Sequence, residues 1–232
     1  RSSDLAMNKQ TKQLKRRTTM TPDYTQAAIK ATETLIQHKV CTAPIDPLPI
    51  LKSTPGVLVM TFEEMSEKSN IRRKDVLDMF GCENQDAVTT LYINNEKLTY
   101  IVTYNKMLPS RVIDRALARE LGHIILGHDG TKPEDVRQEE AKCFAHYLLC
   151  PPALIYSIKA TGVRLTTEAV GNITGFYDHC LSCIRKQPPV HIPAELNRKV
   201  RDLFVPYIMN LFEYQKYAML KDGSALADFG NY

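Results

Sequence analysis

The feature that most constrains this chain lies between Arg115 and Pro151, where two helix-periodic segments follow one another. The first reads Arg115-Ala-Leu-Ala-Arg119-Glu120-Leu-Gly-His123-Ile-Ile-Leu-Gly127-His128, and the second Glu139-Glu140-Ala-Lys-Cys-Phe-Ala-His146-Tyr147-Leu-Leu-Cys-Pro151. Residues four apart on a helix sit about 40° apart on one face, one turn up. Arg119 and His123 therefore point the same way, with Glu120 beside them. Gly127 to Gly130 stop the first helix, and Pro151-Pro152 stop the second.

A chain of 232 residues can bury a proper core, as one domain with an appendage or as two small ones. Its 44% hydrophobic and 24% charged content is ordinary for a globular protein, and the net charge of +4 is mild. Only the start is lopsided, with Lys9, Lys12, Lys15, Arg16 and Arg17, so residues 1–21 read as a solvated, flexible lead-in rather than a nucleic-acid-binding arm. Residues 1–6 read as a remnant ahead of a natural start at Met7. No apolar run approaches the ~20 residues that span a bilayer, and no signal-peptide pattern opens the chain. Six dispersed cysteines lack the density of a disulfide-stapled domain. Reduced thiols in a cytoplasm, and no membrane, are the expectation.

Along the chain, Ala27, Ala28, Ala31, Leu35 and Ile36 predict an amphipathic helix over Pro22–Val40, broken by Pro44, Pro47 and Pro49. Gly56–Phe62 predicts a strand, and Glu63–Phe80 a surface helix or loop. Ala87–Ile93 and Lys97–Tyr104 are rich in Val, Thr, Ile and Tyr and predict a hairpin turning at Asn94, Asn95 and Glu96. The second motif helix is expected over Pro133–Leu149. Leu165–Lys186 has the spacing of a helix-turn-helix with Gly175 in the turn. Pro193–Leu220 reads as a long amphipathic helix interrupted at Pro206.

With histidine at 119 the first helix would carry H-E-x-x-H, in which two imidazoles and a third ligand hold zinc and the glutamate takes a proton from the bound water. Glu140 on the next helix is a sensible third ligand. Position 119 is arginine, which keeps its proton and offers no lone pair.

These residues resemble the ImmA/IrrE family of metallo-endopeptidases. The matching pieces are Tyr104-Asn105, Ala118-Arg-Glu-Leu-Gly-His123, and Glu140-Ala-Lys-Cys-Phe-Ala-His-Tyr-Leu-Leu-Cys-Pro151, with Pro44-Ile-Asp-Pro47 similar to the family's opening. The resemblance covers roughly residues 25–186 and is specific in the two motif helices. It implies an α+β, zincin-like minimal peptidase domain over 22–160, made of a small sheet with a hairpin plus the motif helices. A helix-turn-helix-like segment over 161–187 and a C-terminal amphipathic helix and tail over 188–232 follow. By the same resemblance His123 and Glu140 are metal ligands, Glu120 is the general base and zinc is the cofactor. The task implied is cutting a cytoplasmic repressor-type regulator, in stress responses or the control of mobile elements.

Three arrangements are open at Arg119. The site is metal-free and Arg119 forms an ion pair with Glu140, and with Glu120; or His128 folds back at Gly127 to complete a metal set; or Arg119 is an introduced change in an active enzyme. On an ideal helix His128 faces about 140° away from His123, which makes it a helix-end histidine at the negative dipole end unless the chain turns. Tyr147 shares Glu140's face and either donates a hydrogen bond to a ligand or packs. Glu139 is expected to be solvated and His146 half-exposed. Cys180 and Cys183, with His179 and His191 near them, read as core cysteines rather than a zinc site. As a DNA reader the same segment presents Asp178, His179, Ser182 and Arg185, with little positive charge for phosphates. The alternatives to a peptidase are thus a non-catalytic relative that binds a protein partner in the same groove and, more weakly, a DNA-binding regulator.

Overall fold

The computed structural model describes residues 20–79, 86–94, 97–161, 167–175 and 190–221. Its elements in chain order are α1 (Tyr24–Gln37), α2 (Pro47–Ser53), β1 (Val57–Thr61), α3 (Phe62–Ser69), α4 (Arg73–Met79), β2 (Ala87–Asn94), β3 (Lys97–Tyr104), α5 (Ser110–Ile125), α6 (Glu134–Leu149), α7 (Pro152–Ala160), α8 (Thr167–Thr174) and α9 (Ala194–Lys221). The fold is α+β, a small three-stranded sheet with helices. Among the described residues no helix is long and apolar enough to cross a membrane.

The sheet order is β1-β3-β2, with β1 parallel and β2 antiparallel to β3. Register pairs share a face, so Val57, Val59, Val102, Ala87 and Tyr104 all look toward α5 and join the main core. Thr89, paired with Val102, lies on this face. The opposite face is covered at the Val88 end by Phe62 and Val76 of α3 and α4, which anchors these two surface helices to the sheet. Thr61 and Glu64 start α3 with a reciprocal capping box.

α6 packs between α1 and α5. The alanines Ala27, Ala28 and Ala31 present a low, fully buried surface to it. On the other side Gly122 sets the α5–α6 distance, because a Cβ there would lie 3.1 Å from Phe144 Cδ1 and 3.2 Å from the Ala141 carbonyl oxygen. This close approach lets His123 reach Glu140 of α6 through His128.

Two proline expectations are corrected. Pro47 and Pro49 do not merely break the chain, since Pro47 opens α2 at the first helical position, where its missing N–H is no loss, and Asp46 caps Leu48 N–H at 2.9 Å. Nor does Pro206 interrupt α9, which runs through it for 28 residues. Pro206 faces solvent, while Val200, Phe204 and Ile208 anchor the helix on both sides of it against α1 and α7. Of the expected helix-turn-helix, α8 and Gly175 (φ +79°) are described. Residues 176–189, holding His179, Cys180 and Cys183, lie outside the described residues, as do 1–19.

Candidate functional site

The site forms where α5 ends and α6 passes. Leu126 caps α5, and Gly127 at φ +64° turns the chain, with Gly127 N–H on Ile124 O at 3.1 Å and His128 N–H on His123 O at 3.0 Å. This is a Schellman motif, and it needs a residue that tolerates the left-handed region at 127. The turn reverses His128, so that its side chain is 1% exposed and lies edge-on to His123. The loop then closes through Thr131 N–H on Asp129 Oδ1 at 3.0 Å, Gly130 at φ +91° and Pro133.

Glu140 is the centre of the cluster, with its side chain 2% exposed. Its Oε1 accepts from the Asp23 backbone N–H at 2.9 Å and from Lys132 Nζ at 2.9 Å. Its Oε2 lies 2.9 Å from His128 Nε2 and accepts from Lys132 Nζ at 2.7 Å. Burial alone would raise this carboxyl, but the donors, led by the Asp23 N–H and Lys132, overcome it and hold it below the ordinary glutamate range. Burial lowers His128 despite the Glu140 partner, so His128 is neutral beside an ionised Glu140.

The network then assigns the tautomers. An ionised Glu140 only accepts, so His128 donates from Nε2 and accepts at Nδ1. The 2.8 Å contact between the two Nδ1 atoms makes His123 the donor there, which leaves His123 Nε2 with a free lone pair. Burial, His128, and the charges of Arg119 and Arg137 push His123 down to about 4. Glu120, 7% exposed, accepts from Thr89 Oγ1 at 2.8 Å, and burial raises its pKa against the pull of Thr89 and Arg119. Glu120, His123 and His128 border a cleft of about 420 Å³ together with Thr89, Arg119 and Arg137. Arg137 is ion-paired with Glu134.

Several sequence expectations change. Arg119 does not pair with Glu140; its Nε sits 3.7 Å from Glu120 Oε1, and the cation on Glu140 is Lys132. His128 is no solvent-facing helix-end residue but part of the cluster. Tyr147, 6% exposed, packs in the core away from this cleft and gives no hydrogen bond to the site. The expectation for Glu139 holds, with its side chain 46% exposed and paired with Lys142. Sequence reasoning missed Lys132, Thr89 and the Asp23 N–H. Thr89 alone had a signal, the alternation of β2, whereas Lys132 is set by loop geometry and the Asp23 N–H by the α1–α6 packing.

The donor set as arranged does not fit a zinc ion. Ligating nitrogens around a tetrahedral zinc stand ~3.3 Å apart, whereas the two Nδ1 atoms are at hydrogen-bonding distance. His128 turns its other nitrogen to Glu140, so the donor atoms do not converge on one point, and Lys132 covers both Glu140 oxygens. Among the described residues no group of three or more His, Cys, Asp or Glu side chains is placed to hold a metal ion. The chain matches no family model, no curated protein and no solved structure.

Proposed function

We propose that this chain is a peptidase-like protein of the ImmA/IrrE type that binds a cytoplasmic regulator protein in the cleft along α5 and β2 without cutting it. The observation that carries this reading is the pair of fixed cations on the two acids, Lys132 on Glu140 and Arg119 at Glu120. A carboxylate already engaged by a cation is not free to ligate a second one. The cleft still has the means to hold a chain. β2 is an edge strand of the sheet, and Ala87, Val88 and Thr89 line the cleft, so an extended segment can add beside it by backbone hydrogen bonds. The strand's Ala-Val-Thr-Thr-Leu-Tyr carries none of the lysines or prolines that usually blunt an edge.

A second reading, zinc-dependent hydrolysis of the same partner, rests on His123, His128 and Glu140 coming together beside Glu120. It requires Lys132, 36% exposed, to leave Glu140. In it the donor atoms of His123, His128 and Glu140 would have to be brought to one point, which they do not share in this structure.

Both are tested on the purified chain with a displayed library of random extended peptides. Binding clones should be lost on Thr89→Arg, which fills the cleft beside Glu120, and should survive intact after prolonged incubation with added zinc. Chelator-sensitive cleavage of those peptides would overturn the binding reading in favour of hydrolysis. Clones indifferent to Thr89→Arg would overturn both.

A further inference from the structure

A larger cleft, about 950 Å³, opens elsewhere, between α7 and α9. One wall is α7, with Tyr156 standing 71% exposed; the other is α9, with Val205 46% and Met209 54% exposed. Phe212, one turn further along α9, is also exposed. Val205, Met209 and Phe212 fall at i, i+4 and i+7, one stripe beside the buried Val200-Phe204-Ile208 stripe that holds α9 on the core. Towards the N-terminal end of α9 the same stripe continues as Arg201 and Arg198, both lining the cleft, with His191 nearby. Among the described residues no aspartate or glutamate lines it and neither arginine has an ion-pair partner. Glu195, the acid nearest in sequence to Arg198, is engaged with Lys199 at 2.7 Å.

We propose that the α7–α9 cleft is a docking site for an amphipathic helix of a partner protein, with apolar residues along one face and carboxylates at one end. The cleft selects this occupant in three ways. Its two long walls are helices that leave few backbone groups free, so an extended segment would leave most of its own N–H and C=O groups unmet over an apolar floor, whereas a helix satisfies them itself. Its lining side chains are too exposed to enclose most of a small molecule's surface, as ligand pockets do. The two unpaired guanidiniums at one end call for carboxylates there, and the twelve residues from Arg198 to Met209 run about 16 Å, three turns of a docked helix. This site is independent of the cleft along β2.

The test is selection on the intact chain from a displayed library of helical 14-residue peptides with leucines fixed at i, i+4 and i+7 and the other positions randomised. Selected peptides should carry Asp or Glu clustered at one end. They should bind at least about tenfold more weakly to the Arg198→Glu/Arg201→Glu double variant and to Met209→Asp, the change expected when one charge-assisted or buried contact is lost. Lysine-for-glutamate versions should prefer the double variant. All these positions are exposed, and circular dichroism checks that each variant is folded. An unenriched library, enrichment without acidic residues, or binding indifferent to Met209→Asp overturns the proposal. A wild-type dimer that Met209→Asp dissociates also overturns it, because the occupant would then be a second copy of this chain.

Discussion

Neutralising Glu140 tests whether it is a structural hub held by cations. Its two oxygens receive four hydrogen bonds, from the Asp23 N–H, from His128 and twice from Lys132. In Glu140→Gln the amide oxygen keeps the fixed Asp23 N–H, and the amide nitrogen faces His128 Nε2. His128 and His123 can meet it by both switching tautomer, so shape and most hydrogen bonds survive while the charge is lost. Breaking a buried pair by removing one partner costs about 3–5 kcal/mol. Lys132 is 36% exposed and can rehydrate, which discounts the cost to about 2 kcal/mol. Lys132→Met leaves a buried carboxylate with neutral donors and should cost about as much. With both changes no unpaired charge remains, so the double variant should be more stable than the sum of the singles predicts by at least about 1 kcal/mol. Urea denaturation measures all three, and each single should lower Tm by ~4–8 °C. The folded Glu140 carboxyl lies below its ordinary value of 4.5. Its contribution is therefore present above that pH and fades as the pH falls through the folded pKa, and the acid loss of stability should be shallower in Glu140→Gln. Additive losses, or singles below about 0.5 kcal/mol, would refute the hub.

Three further outcomes are expected. Asp114 is pushed up to about 6 by burial and by Asp46, against Arg111, so the folded state holds its proton more tightly than the unfolded chain; stability then falls as pH rises from about 4 to 6. Asp114→Asn should stabilise by about 1–2 kcal/mol at pH 7 and make no difference below pH ~4, read from melting curves at both. Gly122→Val would drive methyls into Phe144 and the Ala141 carbonyl and should destabilise by about 2–3 kcal/mol in urea denaturation. Arg119→His combined with Lys132→Met removes both cations from the acids and should raise bound zinc to about one ion per chain by elemental analysis, with the wild type well below that; equal zinc in the two proteins would contradict the assigned role of the cations.

Periodicity made much of this protein legible. The α1 stripe, the hairpin and the two motif helices follow from side-chain spacing, and so does the shared face of Arg119 and His123. The resemblance of the second motif helix picked out Glu140 as the inward acid of its pair and Glu139 as the solvated one, and Glu140 is buried while Glu139 pairs with Lys142 at the surface. The prolines misled because Pro is tolerated in a helix's first turn and on a solvent face anchored at both sides, and both conditions depend on what surrounds it.

Sequence alone thus determined which residues share a face, since local periods of 3.6 and 2 fix direction without reference to the rest of the chain. Only the tertiary structure decided what meets across faces. One glycine in the left-handed region returned His128 to His123, and another let α5 and α6 touch. A loop lysine, not the arginine of the motif, took Glu140. These contacts join residues from separate elements, and their partners are set by backbone turns and helix spacing that no single stretch of sequence encodes.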